Sequence, residues 1–465
     1  MSLLVDTDII KDHQTFINVI RHNKFKEKKE LAQSLRVSFP TMENEFKILK
    51  SSGIIDIQDK QDQSKFIVKR DFGYFLGIAV GATETKVSLV DFSFKPVRLC
   101  ENYNDKKFES LFNNLQSDLK LKNLSSEEKK GDEHNYLCFE TEREYLKIYE
   151  MCNKVLKIFL DFFEQSEQQL LSIALSLPGI IDEQNIMRFS PNIPELLNID
   201  VSKLIKNEYL DMIKNNRITF LICHDTIAAT VYEKENLYTL LDESYCKKDN
   251  MAVLYMGSGL GCGLIIHNQL VLGALSAGEI GHINFTYNDL PMISGSEEAD
   301  INSYSINGKQ EDLVKMDTGY CACGKQDCLE RLIRVKVFNA NSLDNYLEKT
   351  TEENLTNFSE IHPYRYRVLK ELIGKALNVI INLTSVDLIA FTGRIFNNIP
   401  QLKEEMESLK TGYSLNVNAE ECHILTEKTP NDSVAIGAAI LSYYKMCGQF
   451  GKNRTINWSL FDRRE

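Results

Sequence analysis

A chain of 465 residues, 43% hydrophobic and 26% charged, has the balance of a globular protein and exceeds what one core usually organises, so two or three domains are expected. No apolar run reaches the length of a membrane span, and residues 1–11 carry Asp6 and Asp8, unlike a secretory leader. The net charge of −12 excludes a broadly basic nucleic-acid-binding surface, but residues 1–70 hold 13 Lys/Arg against 10 Asp/Glu, so the head is mildly basic on an acidic body.

Residues 1–70 read as three short helices and a hairpin. Phe16, Ile17 and Ile20 share one face of the first helix, and Leu31, Ala32 and Leu35 one face of the second, joined by a lysine-rich turn at 24–29. Ser38 stands where an N-cap belongs, with Pro40 tolerated in the first turn. Phe39, Met42, Phe46 and Leu49 then recur at helical spacing up to the stop at Gly53. Short strands at 54–57 and 66–68 flank a polar loop. Helix, helix-turn-helix and hairpin is the order of a winged helix, whose third helix enters the major groove. Ser38, Thr41, Lys47, Lys50 and Lys65 are the candidate DNA contacts, whereas Glu43 and Glu45 on the same helix would oppose phosphate. The plainer alternative is a small helical subdomain for protein contacts.

From Phe75 the pattern changes. Strand 76–80, small-residue turn 81–85 and strand 86–91 recur as strand 251–256, glycine turn 257–263 and strand 264–266, a repeat that predicts two α/β lobes of similar topology with ligand between them. The expected domains are a winged helix-turn-helix at 1–70, a first lobe at 71–224 plus 431–465, and a second lobe at 225–430. Residues 102–136 read as a polar surface insertion, and 145–163 as an amphipathic helix on the first lobe's sheet.

The eleven cysteines are odd in number and mostly scattered, which predicts a reducing, cytoplasmic setting. Three of them, Cys321, Cys323 and Cys328, lie within eight residues, with Gly324 permitting a tight turn. Upstream is the segment Gly278-Glu279-Ile280-Gly281-His282. Three soft thiolates and the His282 imidazole suit one structural Zn2+ in a closed tetrahedron.

These motifs, together with Leu177-Pro178-Gly179, Ser190-Pro191-Asn192-Ile193-Pro194, the 257–263 glycine turn, Leu329-Glu330 and Ala435-Ile436-Gly437-Ala438-Ala439, resemble the ROK family of repressors, open reading frames and sugar kinases. The resemblance implies the two-lobed, actin-like sugar-kinase fold, to which the repressor branch adds an N-terminal winged helix. It further implies that His282 binds zinc and reaches sugar hydroxyls, that Glu279 and Glu330 bond the sugar, and that Gly179, His224 and Asp225 complete the contacts. Asp225 matches the kinases' general base, and His224 stands where they carry asparagine. A helix-capping role for Asp225, before 226–233, is the structural alternative.

Departures from the family's kinases are concentrated where phosphate would bind. Their first turn reads Asp-x-Gly-Gly-Thr, whereas this chain has Ala79-Val80-Gly81-Ala82-Thr83-Glu84. A carboxylate is lost at Ala79, a glycine is replaced by Ala82, and Glu84 adds negative charge, changes that oppose phosphoryl transfer. Phe391-Thr392-Gly393-Arg394 likewise replaces a glycine-rich adenosine-side turn. Between His282 and Cys321 lie 38 residues, far more than the family usually has there. The expectation is a regulator, most simply a repressor, without enzymatic activity. It would bind an operator DNA and a sugar or sugar phosphate as a homodimer or homotetramer, with no membrane contact. An ATP-dependent kinase for a hexose or N-acyl hexosamine, active alone or bifunctionally, is the alternative.

Overall fold

The computed structural model describes residues 7–22, 28–57, 66–99, 108–118, 136–240, 243–285, 320–338, 350–451 and 455–458. Helices α1 (Thr7–Asp12), α2 (Gln14–Arg21), α3 (Lys28–Ser34) and α4 (Phe39–Ser51) precede an antiparallel hairpin of β1 (Ile55–Ile57) and β2 (Phe66–Val68). Four helices stand where periodicity predicts three, because His13 (φ −109°, ψ 12°) leaves the helical region and breaks the first. Ser38 caps α4, its hydroxyl accepting the Thr41 N–H at 3.2 Å. Met42, Phe46 and Leu49 are buried, but Phe39 is 49% exposed, since the first turn of α4 runs past the face that packs. Glu45, expected to oppose phosphate, is largely buried and pairs with His13.

The chain divides into two compact units, one of Met1–Cys246, His267–Leu270 and Asp432–Glu465, the other of Lys247–Ile266 and Val271–Asn431. In the first, β3 (Tyr74–Val80) and β4 (Glu84–Asp91) form an antiparallel hairpin, and β5 (Pro96–Val97) and β6 (Tyr136–Glu140) both pair with β4. Beyond β3 come β7 (Leu170–Leu177) and β10 (Thr219–His224), both parallel to their neighbours, with β8 (Ile180–Ile181) and β9 (Met187–Phe189) as a small separate hairpin. Strands β3 and β7 are buried along their whole length, as strands covered on both faces must be. Leu76, Ile78 and Val80 share a core with α5 (Glu109–Asp118) and α6 (Tyr145–Gln165). The insertion expected at 102–136 therefore contributes a packed helix, with Leu111 and Leu115 buried. On the alternate side of β3, Gly77 lies against the C-terminal helix (Ser433–Met446), where a Cβ would stand 1.9 Å from the Ala435 carbonyl oxygen.

The helix after β10, α7 (Asp225–Asn236), belongs to this first unit, so the division falls after Cys246 and not at the expected 224/225 boundary. The reason is packing: α7 lies so close to the C-terminal helix that a Cβ on Gly437 would meet the Ala228 carbonyl oxygen at 1.9 Å. Residues 1–70 also fall within the first unit.

The second unit repeats the plan. β11 (Met251–Met256) and β12 (Leu260–Ile266) form the hairpin, and β13 (Leu388–Thr392) and β14 (His423–Leu425) follow in parallel. Strand order is β12-β11-β13-β14 here and β4-β3-β7-β10 in the first unit, so the repeat read from two glycine turns is a duplication of topology. Among the described residues, no helix is long and apolar enough to cross a membrane.

Candidate metal centre and ligand site

In the second unit, three segments meet at the end of β12. Gly278 (φ +85°) lies on the strand so closely that a Cβ would come within 1.6 Å of the Cys262 carbonyl oxygen. Its own carbonyl accepts the Cys262 N–H at 2.9 Å. The chain then makes a tight 3-10 turn, Ile280–His282, that presents Glu279 and His282. After the long insertion it returns beside the same turn: Phe285 N–H donates to Asp327 O and Leu329 N–H to Ile283 O, both at 2.9 Å. Loop closure entropy grows only with the logarithm of length, so the two ends of the insertion can be pinned together at modest cost. Residues 294–315 of that insertion, expected to project outward, lie outside the described residues.

The pinning brings His282, Cys321, Cys323 and Cys328 together, with one ligand atom from each lying within 4.8 Å of the others. Cys321 Sγ is 3.5 Å from His282 Nδ1, and Cys323 Sγ 3.5 Å from Cys328 Sγ. Ligands about 2.3 Å from a common centre in a tetrahedron would lie roughly 3.8 Å apart, so the spacing and the sulfur-rich donor set fit one zinc ion. Burial, and the crowding of thiol on thiol, push the Cys321 and Cys328 thiols up. A bound cation is what would hold such thiols as thiolates.

With Nδ1 turned to sulfur, His282 Nε2 points back to Glu279 at 3.9 Å, and Glu279 also accepts the Ser276 hydroxyl at 2.5 Å. A carboxylate behind a metal-bound imidazole fixes its ring orientation. Glu330 lies on the other side of the turn, in the short helix α8 (Leu329–Leu332), and accepts the Leu260 N–H at 3.1 Å. Glycine is needed at 259 and 281 for this carboxylate to fit: Cβ atoms there would stand 2.8 and 3.3 Å from Glu330 Oε2. Burial holds the Glu330 carboxyl above its usual value, and the Leu260 N–H and the Arg334 guanidinium offset only part of that rise. The structure thus brings Glu279, His282 and Glu330 together.

In the first unit, the expected residues collect at the carboxyl ends of β3, β7 and β10, the place where open α/β sheets meet ligands. Gly179 (φ +134°) is required by the backbone, because a Cβ would meet the Phe189 carbonyl oxygen at 2.3 Å. His224 is the residue that caps α7, its Nδ1 accepting the Thr226 N–H at 3.3 Å. Asp225 Oδ1 accepts the same N–H at 2.7 Å, so the capping role expected of Asp225 is shared with its neighbour.

The turn expected to have lost its phosphate site is hydrogen-bonded within the protein. Gly81 N–H donates to the Glu84 carbonyl at 2.9 Å, Thr141 N–H to the Thr83 carbonyl at 2.9 Å, and Arg143 Nε to the Ala82 carbonyl at 2.8 Å. Glu84 pairs with Lys86 at 3.4 Å. Arg143 and Ser276 were not legible as site residues, since only the fold brings them to the turn and to Glu279. In the head, Ser38, Thr41, Lys47 and Lys50 are all exposed, while Lys65 lies outside the described residues.

A model of the ROK family matches residues 124–444. The chain is a ROK family protein. Similar sequences include two xylose repressors. The one from Caldicellulosiruptor bescii is 27% identical over 153 residues, 31% of this chain and 35% of that protein. The one from Bacillus subtilis is 22% identical over 255 residues, 54% of this chain and 55% of that protein. The ROK chain thus spans about a third and about half of the length of these relatives. A crystal structure described as a ROK family transcriptional regulator, homolog of E. coli MLC protein, superposes with a TM-score of 0.58 at 18% identity, covering 94% of this chain and 98% of that one. The fold is therefore that of the ROK transcriptional regulator.

Proposed function

We propose that this ROK protein is a sugar-responsive transcriptional regulator, most simply a repressor, that binds an operator through residues 1–70 and acts without catalysing phosphoryl transfer. The observation that supports the reading is the pair of carboxylates, Glu279 and Glu330, gathered beside an imidazole that one metal ion would hold in place. Charged hydrogen-bond acceptors held rigidly discriminate among polyols, because a missing hydroxyl leaves a buried carboxylate unpaired. Gly179, His224 and Asp225 are the residues we assign to further hydroxyl contacts. In the head, exposed Ser38, Thr41, Lys47 and Lys50 supply phosphate contacts along α4. The relatives named xylose repressors make D-xylose the first sugar to try. Two heads reading two half-sites imply a homodimer or larger homo-oligomer. The setting proposed for all of this is the cytoplasm.

Kinase activity is disfavoured by the turn at 81–84, where the Gly81 N–H is taken by the Glu84 carbonyl and the Glu84 side chain would set a negative charge against phosphate. One feature favours the kinase reading, the retention of Asp225 at the position of the family's general base. The two are separated by a pair of assays on the full chain. A gel shift with operator DNA, titrated with D-xylose and D-glucose, should show binding that one sugar weakens or strengthens. ATP-dependent phosphorylation of either sugar should stay at background. Absence of DNA binding in every condition, or sugar phosphorylation at ordinary turnover, would overturn the proposal.

A further inference from the structure

The first unit contains a buried polar network that neither the metal centre nor the ligand residues use. At its centre is Glu235, near the C-terminal end of α7, with its side chain only 6% exposed. A carboxylate so placed must be bonded or neutralised. It receives three donors from three distant parts of the chain: His22 Nε2 at 3.0 Å, the Tyr444 hydroxyl, and Trp458 Nε1 at 2.7 Å. His22 is the C-cap of α2 and stacks on Tyr238 with ring centroids 3.7 Å apart. Its neighbour Arg21 lies over Phe94 at 3.7 Å and Tyr443 at 4.5 Å, and donates to the Phe92 carbonyl at 3.0 Å. Asn18, fully buried, accepts the Tyr443 hydroxyl at 2.9 Å.

Three successive contact points on α2 are therefore gripped by the body, immediately before the chain turns into α3 and α4. The grip is polar and specific where a structural contact could have been apolar. A buried polar network has one well-satisfied arrangement, and disturbing it leaves several groups unpaired, so partial opening is costly. The other end of the same helix α7 begins at Asp225, about 15 Å away at 1.5 Å per residue.

We propose that His22, Arg21 and Glu235 form a latch that holds the head to the body, and that α7 couples this latch to ligand at Asp225. A ligand that repositions the first turn of α7 then shifts the whole rod, and with it the acceptor on which His22 depends. The coupling half rests on the reading of Asp225 as a ligand contact given above; the latch half does not.

The test is hydrogen exchange on the full-length protein, followed in α2, α4 and β7, for wild type and for two head-side variants, His22→Ala and Arg21→Lys, which leave the body's own contacts intact. Without ligand, both variants should speed exchange in α2 at least tenfold while β7 and α4 stay within twofold of wild type. Unchanged exchange in α2, or equal acceleration in β7 or α4, would overturn the latch. D-xylose is then added at concentrations that calorimetry shows to saturate the wild type. It should change α2 exchange several-fold in the wild type and leave it unchanged in His22→Ala. Saturation with no effect on α2 would overturn the coupling while the sugar reading stands. If calorimetry detects no D-xylose binding, and none of D-glucose, the sugar reading fails by itself and the ligand-free comparison still decides the latch.

Discussion

Around the candidate metal centre, each donor depends on a backbone constraint of its own. Gly324 turns at φ +78°, letting the chain double back so that Cys321 N–H donates to Lys325 O at 2.7 Å. Asp327, at φ 55°, makes the second sharp turn that delivers Cys328, which is fully buried. Replacement of Cys328 by serine removes one soft ligand and leaves a poor one. Elemental analysis should fall from about one zinc per chain to near background, in line with the dependence of such sites on all four ligands. Gly278 tests the geometry behind the ligand residues. Gly278→Ala would force both a left-handed backbone and a clash 1.6 Å from Cys262 O, so chemical denaturation should show a loss of about 3 kcal/mol or more.

At the scale of elements, the first unit is held by close approach of its C-terminal helix. That helix crosses β3 at Gly77 and α7 at Gly437, with 1.9 Å available to a Cβ at either place. Gly437→Ala should destabilise the first unit by about 2–3 kcal/mol, even though alanine raises helix propensity, because overpacking outweighs propensity here. Differential scanning calorimetry would measure it. The Glu235 network makes a pH prediction. Burial alone would push this carboxyl up, but His22 and the Tyr444 and Trp458 donors outweigh it and hold it below its usual value. A carboxyl depressed in the folded state stabilises above its unfolded pKa and loses that contribution as pH falls through the folded one. Glu235→Gln should accordingly be less stable than wild type at pH 7, with the gap closing as acid passes below the ordinary carboxylate range, read by urea unfolding at each pH.

For the whole molecule, the charge distribution bears on the proposed DNA contact. A body of net negative charge would repel phosphate, so the proposed contact falls to the head, where Lys47 and Lys50 are exposed on α4 and Glu45 is paired with His13. Lys47→Ala with Lys50→Ala should weaken operator and random DNA alike. It should also flatten the dependence of binding on salt by about 0.9 per lost phosphate contact in the log–log slope, measured by fluorescence anisotropy. A change confined to one operator base pair would point to base reading by these residues.

Local chemistry was enough to read a good part of this molecule. Ser38 as a cap, the strand–turn–strand pairs, the amphipathic helix from Tyr145 and the three thiols within residues 321–328 all follow from spacing that short-range sterics and ligand preference dictate. What spacing could not convey was any partnership across long stretches of chain. Assignment of α7 to the first unit, the inward turn of Glu45, the seat of Glu330 on Leu260, the Arg143 contact to Ala82 and the burial of Glu235 under His22 each join residues that carry no mutual signal in one dimension. Those contacts arise only once the two sheets are built and their faces must be covered, because burial obliges each polar group to find whichever donor or acceptor the packed neighbours bring.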